Sequence, residues 1–194
     1  MNAPRRLSQA LSEGDGISLL APVADAAEAA AAEADGAEAI VIAQTVAALR
    51  KATGLPVLCR VEGSPRTALE WEGDACVLWV ETTDDGERLS TLHAEAQALG
   101  LEAVVGVRKD DELAFALEHV DPEIVLLFGS GEEADPLERV LDLLPDVPAG
   151  KLAIAEVPVR SRQDILALER AGVDGVIVSA GDVSRLVGGP PPEV

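Results

Sequence analysis

A chain of 194 residues and 20.1 kDa, 48% apolar, is long enough to bury one core and implies a single domain. Thirty-five acidic residues against 15 basic ones give a formal charge of −20, a surface that repels nucleic acid and anionic membranes alike. No apolar stretch approaches the length of a membrane span, and the polar start lacks an apolar signal segment, so a cytoplasmic protein is expected.

Residues 1–16 form a short N-terminal segment with room for one short helix over 5–12. A first apolar run, 17–23, leads into an alanine-rich helix over 24–34, with Asp25 near its start and Gly36 closing it. The second run, 37–43, precedes a helix over 45–53 ended by Gly54. After the third run, 55–61, Gly63-Ser64-Pro65 opens a helix of under two turns over 66–72. The fourth run, 75–81, is followed by the longest helix, 86–99, with Leu89, Leu92, Ala96 and Leu99 on one face. The fifth run, 102–108, feeds a helix over 110–119. The sixth, 123–129, is followed by Asp135-Pro136, a capping residue and a proline suited to a first helical turn. The seventh, 151–157, precedes a helix running from Ser161 to Gly172. An eighth run, 172–179, ends in one short helix over 182–187 and a Pro-rich tail, 189–194.

The starts of these eight runs lie 18 to 28 residues apart, enough for a strand, a helix and two turns. Runs rich in Val, Ile and Leu with little polar alternation are buried on both faces, as a parallel sheet requires. A flavodoxin-like open sheet needs fewer strands, so the expected fold is α/β: a compact single-domain (β/α)8 TIM barrel over 17–188, with a truncated last helix and little N-terminal extension. Its site would lie at the C-terminal strand ends. Alternation along the third strand turns Cys59 outward if Arg60 turns inward. Cys59 and Cys76 lack metal-ligand spacing and read as small buried hydrophobes, with a disulfide left open. Trp79 is expected between sheet and helices, and Trp71 over an end left open by the short third helix.

Four segments carry a resemblance: "GLPVLCR" (54–60), "LGLEAVVGVRKDDELAFALE" (99–118), "DPEIVLLFGS" (121–130) and "AEVPVRSRQDILALERAGVDGVIV" (155–178). In this order and spacing they resemble indole-3-glycerol phosphate synthase, the ring-closing lyase of tryptophan biosynthesis. The resemblance implies a lysine general acid at the end of strand three, where this chain has Arg60. It implies a Glu-x-Lys pair on strand one, replaced by Leu19-Leu20-Ala21, and a strand-five glutamate, replaced by Gly106. An asparagine on strand six falls near Phe128, and only the strand-seven glutamate survives, as Glu156. The phosphate-binding glycines fall on Pro158, which has no N–H, and on Ser179-Ala180; Gly181 remains, followed by the acidic Asp182.

The strand ends still collect Arg60, Glu62, Glu81, Arg108, Lys109, Ser130, Glu156 and Arg160. Candidate catalytic residues are therefore Glu156, Arg60 and Arg108, with Ser130, Ser179 and Gly181 as candidate substrate-binding residues. Two arrangements are open: a mixed-charge pocket for a small phosphorylated or carboxylated ligand, or an internal ion-pair network that plugs the barrel. Lys109 would serve as a Schiff-base nucleophile only if desolvated. His93 and His119 lie on outer helices without companions, and Gly129-Ser130-Gly131, Asp84-Asp85 and Glu132-Glu133 read as ordinary loops. No metal site and no cofactor are expected. The leading reading is a minimal barrel of the synthase type without its lyase activity. The alternatives are a lyase or isomerase on a phosphorylated small molecule, using Glu156 with Arg60 and Arg108, and a non-catalytic protein-interaction barrel. The missing last helix would expose apolar surface, which suggests a homodimer.

Overall fold

The computed structural model describes residues 5–13, 16–81, 86–129 and 135–186. Its elements are α1 (Arg6–Glu13), β1 (Ser18–Pro22), α2 (Ala26–Ala34), β2 (Ala39–Ile42), α3 (Leu49–Ala52), β3 (Val57–Arg60), α4 (Arg66–Glu70), β4 (Ala75–Trp79) and α5 (Glu87–Ala98). These are followed by β5 (Glu102–Val107), α6 (Asp110–His119), β6 (Ile124–Phe128), α7 (Pro136–Leu143), β7 (Leu152–Glu156), α8 (Arg162–Ala171), β8 (Gly175–Ile177) and α9 (Val183–Leu186). All eight strands run parallel in sequence order, and β8 closes onto β1 with Ser18, Leu19 and Leu20 opposite Gly175, Val176 and Ile177. The chain is a closed (β/α)8 barrel.

Local chemistry explains most boundaries. Asp25 begins α2 by accepting the N–H groups of Ala27 and Glu28, both at 2.8 Å. Asp135 does the same for Glu138 at 3.1 Å, with Pro136 in the first turn of α7. Ser161 and Asp164 form a reciprocal capping box at the start of α8. Gly172 ends that helix at φ 100°, a left-handed conformation that glycine adopts without steric cost. Two expected helices shrink. The stretch over 45–53 is helical only in α3, because Ala48 takes a left-handed φ of 59° and breaks the turn before it. After β8 a 3-10 turn, Ala180–Asp182, precedes the four-residue α9.

Strand alternation sorts the core into two bodies. Outward residues such as Cys59, Cys76, Leu78, Val105 and Leu127 pack under Ala29, Ala96, Leu113, Val140 and Leu168 of the helices. Inward residues such as Leu20, Val41, Leu58, Val77, Leu126 and Ile154 fill the bore. Cys59 and Cys76 are neighbours across β3 and β4, both fully buried and both free thiols. Burial pushes each thiol up to about 12, since a thiolate would be stranded in hydrocarbon.

The N-terminal end of the bore is closed by α1. Leu7 and Leu11 enter the inner core, where Leu11 lies beside Gly175; a Cβ there would come within 2.5 Å of the leucine. Glu102, the first residue of β5, accepts the N–H groups of Leu7 at 2.7 Å and Ser8 at 2.9 Å, a carboxylate against the positive end of the helix. Asp74 binds the Val57 N–H at 2.8 Å, Arg6 at 3.1 Å and Arg50 at 2.6 Å, joining α1, α3 and β3 at one carboxylate. No helix among the described residues is long and apolar enough to cross a membrane. Leu69 is the exposed large apolar side chain among them.

Truncating Leu7, fully buried, to alanine should cost about 2–5 kcal/mol in urea unfolding, whereas Leu69→Ala, at the exposed site, should stay within about 0.5 kcal/mol. A null result at Leu7 would mean that α1 rests on the floor without sealing it. Cys59 and Cys76 should ignore a thiol-specific reagent at pH 8 until the protein unfolds; stoichiometric labelling of the native chain would contradict their burial.

Candidate functional site

At the C-terminal mouth, two strands end in charged side chains that meet across the ring. Arg60 is the last residue of β3 and Glu156 the last of β7, half-way round an eight-stranded ring. A charge aimed into an apolar bore must be paired, and the partner it can reach is on the opposite wall. Arg60 Nη2 lies 2.5 Å from Glu156 Oε1, with side chains 28% and 18% exposed. The contact bars the bore. Nη2 meets Oε1 as an ion pair, while Arg60 Nε and Glu156 Oε2 are buried with no hydrogen-bond partner among the described residues.

Arg108 does not join that pair. Its guanidinium lies 4.4 Å over the Trp79 ring, a cation–π contact, and 3.8 Å from Glu112. Glu112, 6% exposed, accepts the Arg108 backbone N–H at 2.7 Å and sits in the first turn of α6, where a carboxylate is favoured. Trp79 corrects an expectation. It packs against the inner core instead of between sheet and helices, because it shares the inward parity of Ala75 and Val77 along β4. Its ring meets Phe128 edge to face, centroids 5.8 Å apart at 88°. Between them on β5 is Gly106, whose Cβ, if present, would come within 2.6 Å of the indole. Trp79 occupies the space a side chain at 106 would need. Trp71, by contrast, ends α4 and packs half-buried on the outer layer.

The remaining candidates do not converge on the pair. Ser179 is exposed, and its carbonyl accepts the Asp182 N–H at 2.9 Å. Gly181 is also exposed, and a Cβ there would meet nothing within 4 Å, so no close backbone approach requires glycine. Asp182 holds Arg185 at 2.9 Å, and Arg185 also binds the Arg160 carbonyl at 3.1 Å. That pair already neutralises the entrance to α9. Ser130 lies outside the described residues, as do Asp84-Asp85 and Glu132-Glu133. Lys109 pairs with Asp111 at 2.9 Å, and this hydrogen bond holds its ammonium above the usual lysine value, opposite to what a Schiff-base nucleophile needs. Glu81 pairs with Arg88 at the rim.

Elsewhere, burial lowers the His93 imidazole below its ordinary value, while His119 bonds the Phe115 carbonyl at 2.8 Å and stacks on that ring at 4.3 Å. Among the described residues no group of three or more His, Cys, Asp or Glu is placed to hold a metal ion. A cleft of about 620 Å³ opens at the opposite, N-terminal end, bordered by His93, Gln97, Asp121 and Lys151. Its charges are already matched, Lys151 with Asp121 and Arg5 with Glu123. The mouth, with buried polar atoms still unmatched, is the stronger candidate. Sequence reasoning missed Trp79, Phe128 and Glu112 as parts of it; parity along β4 and β6 carried the signal for the two rings.

No family model matches the chain. It is 34% identical over 143 residues to indole-3-glycerol phosphate synthases of two strains of Acidithiobacillus ferrooxidans, an alignment covering 69% of this chain and 52% of each relative. The chain spans about half the length of the curated relatives it matches. Among solved structures, a mandelate oxidase mutant with a monooxide FMN adduct superposes with a TM-score of 0.64 at 14% identity, over 86% of this chain and 66% of that one. The same oxidase with a brominated phenylacetate gives the same score and identity, over 87% of this chain and 68% of that one. These likenesses show the fold alone.

Glu156→Ala should destabilise the chain by about 1–3 kcal/mol in urea, less than a fully buried pair because both side chains keep some exposure. Joint Arg60→Met and Glu156→Leu replacement should be within about 1 kcal/mol of the native chain. If Glu156→Ala is neutral, the two charges are not bound to one another in solution.

Proposed function

We propose that this chain, a divergent indole-3-glycerol phosphate synthase-like (β/α)8 barrel, does not carry out the ring-closing lyase reaction and acts as a cytoplasmic small-ligand barrel. The observation that carries this reading is the Arg60–Glu156 bar. The resemblance puts a general acid at Arg60, but a guanidinium stays protonated at any working pH and cannot deliver the proton. The one strand-end carboxylate retained from the resemblance, Glu156, is engaged with that guanidinium and is held away from a reacting atom.

Two further features agree. Trp79 fills the place above Gly106, where the resemblance has a glutamate, so the second acid–base group is absent and its space is taken. At the end of β8, Asp182 and Arg185 satisfy each other where the resemblance would have a phosphate. The paired, mixed charges of the mouth suit a small polar ligand better than a doubly charged phosphate. The free thiols of Cys59 and Cys76 agree with a reducing, cytoplasmic setting.

Incubation of the purified chain with the synthase's phosphorylated substrate should produce no indole fluorescence above the uncatalysed rate. Turnover that Glu156→Gln abolishes would overturn the reading and restore the alternative, a working lyase with Glu156 as its base.

A further inference from the structure

No further inference is drawn: the strongest candidate, the cleft at the N-terminal end of the barrel bordered by His93, Gln97, Asp121 and Lys151, has its charges already matched by the Lys151–Asp121 and Arg5–Glu123 pairs, and nothing in the structure shows what covers it.

Discussion

Closing a parallel sheet on itself forces every second residue of each strand into a bore only a few side chains wide. That constraint decides the rest of this molecule. Inside, aliphatic residues from β1 to β8 fill the middle of the ring, and Leu7 and Leu11 stop its floor. At the mouth the same parity delivers Arg60 and Glu156 to opposite walls, where each is the other's nearest answer to burial. The outer face of each strand is then free to carry the small residues, Cys59, Cys76 and the alanines, that let helices approach closely.

The two ends of the barrel solve their polar problems differently. At the floor, Asp74 and Glu102 are surrounded by N–H groups and guanidinium donors, so each carboxylate works as a structural joint. At the mouth the Arg60–Glu156 contact balances charge while leaving a donor and an acceptor unmatched. Saturated bonding marks the floor as architecture, whereas the mouth is closed by one ion pair across the ring. Trp79, Phe128 and Arg108 pack together beside that pair on the walls of β4, β5 and β6.

Much of this was legible in the residues. Apolar runs at near-regular spacing located all eight strands within a few positions, because strands buried on both faces tolerate little else. Caps were equally readable: Asp25, Asp135 and Ser161 begin helices through the hydrogen bonds their side chains make. The failures have physical causes. Over 45–53, intrinsic preference was overruled by the left-handed turn at Ala48, which no local pattern announces. Trp79 was expected between sheet and helices, but it faces the bore. Parity, the stronger rule, put it inside, and only Gly106 on the neighbouring strand made that possible. The pairing of Arg60 with Glu156 was one of two arrangements the residues left open, and only the closed ring selects it; Arg108 was grouped with them although its side chain turns to Trp79 and Glu112.

The fit of the Trp79 indole over Gly106 also fixes the order in which substitutions can be accepted. Any side chain introduced at 106 collides with the indole unless position 79 has shrunk first, and shrinking 79 alone removes a ring that Phe128 and Arg108 both rest upon. The two sites are thus epistatic: each step toward a side chain on this part of the fifth strand is unfavourable until the other has been taken. A barrel that reaches this arrangement is held there by a ratchet.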